Sequence, residues 1–258
     1  ELVSYNELIG FLEKKHSDDI AGAAIYVQNV KDENASELGA KLISPRIFRN
    51  NVGFHYEGKI HNMPVINGKL YEVNSLLYHY GYIKSDEELI EKKFKRTSKL
   101  LLEQLHEDPN NVYYRYQLST TYDMHGDREL AIDQIRLAYN LIKDGDFGTK
   151  MKYIYIYSAY ARLTAFGNQL EECINISNEG IEIEKDYLDL YFFKAVAYGK
   201  LNQFKLAYNC YVEYLELLSR FDRSSFKTNT SIQHYTMNSR QEALCNASLI
   251  ANELNMPK

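Results

Sequence analysis

The stretch Val112–Lys143, VYYRYQLSTTYDMHGDRELAIDQIRLAYNLIK, decides the fold. Leu118, Tyr122, Gly126, Ala131 and Ala138 fall at the large, aromatic, turn, small and small places of a repeating helix-turn-helix about 34 residues long. The small places carry the argument, because two helices of a hairpin cross closely only where Ala faces Ala. Two slots depart from the pattern. Ser119 follows Leu118 where glycine is usual, and Arg128 stands where an aromatic is usual.

Moving outward, a further copy starts near Leu188. Tyr191, Ala195, Tyr198, Phe204, Ala207 and Tyr211 take the matching slots, with Asn202 in place of the turn glycine. Ala131 and Ala207 lie 207 − 131 = 76 positions apart, which leaves room for one degenerate copy between them. That copy is Tyr153–Ile183, with its turn at Gly167–Asn168 and its small positions poorly kept. The pattern resembles the tetratricopeptide repeat, for which three hairpins are about the minimum of a stable stack. Ser85 reads as the cap of a preceding helix, DEELIEKKFKRTSKLLLEQL, with acidic residues in its first turn as the helix dipole favours. Beyond the repeats, Asp222–Ser231 reads as a polar loop and Gln241–Leu254 as a capping helix. Such a stack would offer Tyr114, Gln117 and Thr121 of a first helix to an extended peptide.

The first eighty residues have a different period. Ser4–Lys15 carries Leu8, Ile9, Phe11 and Leu12 at helical spacing, with Ser4 and Glu7 placed as a capping box. Ile20–Val30, IAGAAIYVQNV, is rich in small and β-branched residues and reads as a buried strand. Extended arms follow on either side of an Asn50–Asn51 turn, and Asn67–Gly68 signals a hairpin between MPVI and KLYEV. The predicted division is therefore an α/β part over 1–83, too small to close a good core alone, and an all-α part over 84–258.

Composition narrows the function classes. The 258 residues are 45% hydrophobic and 25% charged, with no apolar run of the length that crosses a membrane. A net charge of −5 argues against a nucleic-acid binder working by bulk electrostatics. Cys173, Cys210 and Cys245 are too scattered for a disulfide framework or a zinc site, so a reducing cytoplasm is the expected setting. The 23 tyrosines read as amphipathic packing rather than a cofactor box.

The polar chemistry gathers in Ile43–Tyr82. The pieces Arg46-x-Phe48-Arg49, Phe54-x-x-Glu57-Gly58-x-Ile60-His61, His79-Tyr80-Gly81-Tyr82 and Lys93-x-x-Arg96, followed by helical repeats, resemble bacterial family 2 glycosyltransferases with a C-terminal tetratricopeptide domain. That group includes enzymes that glycosylate bacteriocin peptides. The resemblance implies the acceptor-side half of a GT-A fold, with the nucleotide-binding half and its Asp-x-Asp motif expected upstream of Glu1. It implies a nucleotide-sugar donor with Mn or Mg in the full-length protein, and a peptide, protein or cell-surface acceptor docked by the repeats. It departs at Asn62, where the family carries glutamate.

The residues have a chemistry of their own. A leaving diphosphate must be neutralised by a cation or by fixed positive groups. Arginine suits bidentate phosphate contact, which nominates Arg46 and Arg49, with His79 and Tyr80 at a strand end where α/β sites collect. The resemblance nominates His61 as a late metal ligand. No catalytic base is assigned. Structural roles stand beside these: Arg46 and Arg49 paired to Glu57 or Glu72, and His79–Tyr82 as the joint between sheet and helix. The alternative to a transferase is a non-catalytic tetratricopeptide interaction module, with self-association open under either reading.

Overall fold

The computed structural model describes residues 1–57, 63–80, 87–220 and 234–254. The chain divides into two compact units, Glu1–Lys93 and Phe94–Lys258.

Among the described residues, the first unit holds, ahead of the helix that leaves it, six strands and one short helix: β1 (Leu2–Ser4), α1 (Asn6–Leu12), β2 (Ile20–Val30), β3 (Leu38–Phe48), β4 (His55–Glu57), β5 (Met63–Val65) and β6 (Lys69–His79). The main sheet runs β1-β6-β2-β3, and β4 with β5 forms a separate ribbon. The central pair β2–β6 is parallel, whereas β3 and β1 lie antiparallel on its two sides. The small residues of IAGAAIYVQNV have a steric cause. A Cβ built at Gly22 would lie 2.1 Å from the Ile47 carbonyl oxygen, so β3 crosses β2 at a distance only glycine permits. Phe11, Ala23, Ile25 and Val73 form the small core of this unit, with Leu8, Ile20, Ile47 and Leu77 packed around it.

Two local readings are corrected here. Ser4 and Glu7 do not cap α1; the Ser4 hydroxyl accepts from the Leu76 amide at 2.9 Å and the Glu7 carboxylate from the Asn74 amide at 3.2 Å. The reason is a register shift in β6 between Val73 and Leu76, which frees these amides from the ladder and leaves them needing acceptors. Asn67–Gly68 does not make a hairpin either. The strands it joins sit in different sheets, and Gly68 (φ +133°) is there because a Cβ would lie 2.8 Å from the Asp19 carbonyl.

The second unit, with the helix that leads into it, is all-α: α2 (Glu87–Glu107), α3 (Val112–His125), α4 (Arg128–Ile142), α5 (Phe147–Lys152), α6 (Ile154–Phe166), α7 (Leu170–Ile183), α8 (Leu188–Lys200), α9 (Phe204–Arg220) and α10 (Arg240–Glu253). Three antiparallel hairpins, α3/α4, α6/α7 and α8/α9, stack in sequence, and α10 packs on α9. The Ser85 cap and the Asp222–Ser231 loop lie outside the described residues.

The turns repeat one device. Gly126 (φ +105°), Asn168 (φ +63°) and Asn202 (φ +57°) occupy the left-handed position, where asparagine is tolerated after glycine. The small positions repeat too. Ala131, Cys173 and Ala207 are fully buried at the crossing of each hairpin, and Gly180 answers Ala138. The middle copy therefore keeps its small places. They are displaced, since 173 − 131 = 42 while 207 − 173 = 34, and the short helix α5 takes up the difference. Ser119 fits the slot of a glycine by donating its hydroxyl to the Ala131 carbonyl at 2.7 Å, so no buried donor is left over.

Candidate protein-interaction groove

The residues nominated from the sequence fall in several places. Arg49 turns to the loop before β2, where its guanidinium donates to Asp18 Oδ1 (3.1 Å) and to the carbonyls of His16 (3.2 Å) and Ser17 (3.0 Å). Arg46 is exposed and is the extra residue of a β-bulge, since Ala23 faces Ile47 and Ala24 faces Pro45. His79 lies opposite Asn29, and its Nδ1 meets Asn29 Oδ1 at 3.0 Å. Partial burial, then the charges of Arg46 and Lys93, hold its imidazole below the usual histidine range. The Arg49 amide bonds Ala21 and His79 faces Asn29, eight positions along β2. At the rise of a strand that is about 26 Å, so Arg49 stands apart from the imidazole, whose charged neighbour is Arg46. Tyr80 donates to Glu1 at 3.1 Å. His61 lies outside the described residues, and among the described residues no three of His, Cys, Asp and Glu gather as metal ligands.

In the second unit, Tyr114, Gln117 and Thr121 lie half-buried on α3, where the Thr121 hydroxyl is turned back onto the Gln117 carbonyl. The helix residues that converge on a common partner are others, and the partner is a short piece of the chain itself, His234–Met237, just before α10. Each first helix of the three hairpins contributes. From α3, the Tyr116 hydroxyl meets that of Tyr235 at 3.2 Å. From α6, the Arg162 guanidinium lies 4.7 Å from the centre of the Tyr235 ring, within the range of a cation–π contact. From α8, Asp189 accepts from the amides of Tyr235 (2.8 Å) and Thr236 (3.0 Å), and from the Thr236 hydroxyl. Ser158 on α6 donates to the same carboxylate at 3.3 Å, and Tyr214 on α9 donates to the Thr236 carbonyl.

Asp189 is fully buried, a position that is costly for a carboxylate unless its oxygens are satisfied. Four donors meet it, and it lies in the first turn of α8, where the helix dipole favours negative charge. Arg162 is balanced by Asp123 of α3 at 2.7 Å, with both side chains largely buried. Its Nε has no hydrogen-bond partner among the described residues. Burial presses the phenols of Tyr116 and Tyr235 above their ordinary range and His234 below its own. These groups are therefore neutral where they meet. Tyr155 and Tyr153 extend the aromatic surface beside Tyr116.

Neither Asp189 nor Arg162 was singled out by sequence reasoning. The available signal was a charge inside an apolar helical run, Asp189 in LDLYFF and Arg162 in YSAYARLTAF. Such a charge on a buried helix demands a partner.

No protein-family model and no curated protein matches the chain. Solved structures similar to it include MamA, at 17% identity and a TM-score of 0.45 over 69% of this chain and 97% of that one. MamA from Desulfovibrio magneticus RS-1 is similar at 10% identity and a TM-score of 0.43, over 66% of this chain and 94% of its own. The expectation of a family 2 glycosyltransferase, and with it of an enzyme, is corrected here. The similar structures reported above are of MamA, and the small mixed sheet sets Arg49 eight positions along β2 from His79. What remains of the expected fold is a small mixed sheet followed by a tetratricopeptide-like helical repeat. Among the described residues no helix is long and apolar enough to cross a membrane.

Proposed function

We propose that the chain is a non-catalytic protein-interaction module, in which the three hairpins present their first helices to an extended peptide. One observation carries the reading. Tyr116, Arg162 and Asp189, one from each first helix, meet on a single short, bent segment and hold it by its backbone amides as well as its side chains. Recognition through main-chain hydrogen bonds, with a few side-chain anchors for specificity, is how repeat stacks and sheet edges read peptides in general.

The test is site-specific photocrosslinking in cells. A benzoylphenylalanine at Tyr113, beside the groove on α3, is expected to give a discrete protein adduct. The same group at Glu171, exposed on the second helix α7, is expected to give none. Adducts at Glu171 with none at Tyr113 would contradict the reading, as would saturable, metal-dependent binding of a uridine diphosphate sugar in calorimetry.

A further inference from the structure

We infer that His234–Met237 is a built-in stand-in for the partner. It lies where the three first helices converge, and the partner carries the same chemistry: a bent segment with a tyrosine followed by threonine or serine. The inference rests on the interaction-module reading above and adds the ligand class and a means of regulation.

Three features of the contact support exchange rather than permanent packing. First, Asp189 reads groups that a bent peptide with a hydroxyl side chain presents on one side, namely two successive amides and one side-chain hydroxyl. Second, the side-chain selectivity is local and narrow. The Tyr235 ring lies against the Arg162 guanidinium while its hydroxyl reaches Tyr116, so an aromatic with a polar tip fits and an aliphatic residue does not. Third, the resident segment leaves the groove incompletely satisfied. Arg162 Nε is buried without an acceptor among the described residues, and a peptide that places a carbonyl or carboxylate oxygen there would make one charge-assisted bond more.

The segment is tethered to the groove by the residues between Arg220 and His234. A free peptide therefore competes against a local concentration on the order of millimolar. The module is closed by default and opens to a partner that either binds better than the stand-in or arrives at high local concentration itself. A conformational cost of this kind lowers apparent affinity by the fraction of open groove.

The experiment uses the full chain and a fluorescein-labelled peptide, IQHYTMN, taken from the stand-in region. Wild type is expected to bind it weakly. The double substitution Tyr235→Ala with Thr236→Val, which vacates the groove, is expected to tighten binding at least tenfold. Adding Asp189→Asn to that variant is expected to abolish the gain, and a peptide with valine in place of threonine is expected to lose it as well. In wild type, saturating unlabelled peptide is expected to speed hydrogen exchange at the Tyr235 and Thr236 amides by tenfold or more. A folded double variant that binds no better than wild type would overturn the inference. So would unchanged exchange at those two amides, which decides the matter from wild type alone if the variant fails to fold. Either negative result, together with a Tyr113 adduct in cells, would leave the interaction module standing and remove only the stand-in.

Discussion

The two units solve the same problem, burying a core, with unequal means. The sheet unit has a core cluster of only four side chains and one seven-residue helix, and it uses glycines to bring backbones together. The hairpin unit builds a continuous core from every helix from α3 to α10 except α5 and can therefore hold a buried carboxylate, Asp189, at its centre. Polar groups in the sheet unit are used to mend irregularities, as Ser4, Glu7 and Arg49 show. Polar groups in the groove are aimed at one segment. Convergence on a common target, rather than the number of charged residues, separates a recognition surface from a scaffold.

The largest effect that would break this contrast comes from Asp189→Ala. It strands two amides and two hydroxyls and is expected to cost the hairpin unit about 3 kcal/mol. Urea unfolding followed on hairpin amides should show the loss, with the sheet amides unaffected. Gly22→Ala is the converse. A methyl group driven against the Ile47 carbonyl is expected to destabilise the sheet unit by about 2 kcal/mol, visible as lost protection in β2 and β3 and not in α3–α9. Smaller still are the turns. Asn168→Ala and Asn202→Ala are each expected to cost about 1 kcal/mol, because alanine resists the left-handed region, whereas glycine at either site is expected to be nearly neutral.

A pH titration sharpens the comparison further. His234 is mostly buried, and its pKa is lowered from the ordinary 6.5, burial being the main cause and the Asp189 charge a partial offset. The folded state then binds fewer protons than the unfolded state just below pH 6.5, so stability is full above that value and falls as the pH drops through the window beneath it. The expected outcome is a stability difference between wild type and His234→Gln that shifts against wild type on going from pH 7.5 to pH 5.5.

Much of the hairpin unit was legible because its signals are local. Ala131, Ala207 and the turn residues Gly126, Asn168 and Asn202 each report on a neighbour within one helical hairpin. The middle copy was harder, since α5 displaces Cys173 and Gly180 from the even spacing, and cysteine does not announce itself as a small residue. In the sheet unit Ile20–Val30 was readable as a strand. The partner of each strand was not, and Asn67–Gly68 carried a hairpin signal that tertiary pairing overrode. The groove was hidden for a different reason. Asp189 and Tyr235 are far apart in the chain, and the meaning of each lies wholly in the other. The arginine–histidine pattern in Ile43–Tyr82 invited a phosphate site, but register along β2 separates Arg49 from His79.

The most direct test is amide hydrogen exchange of the full chain with and without the partner captured from position 113. New protection is expected along α3, α6 and α8, the helices that carry Tyr116, Arg162 and Asp189. Protection confined to the sheet strands or to α4, α7 and α9 would contradict the account.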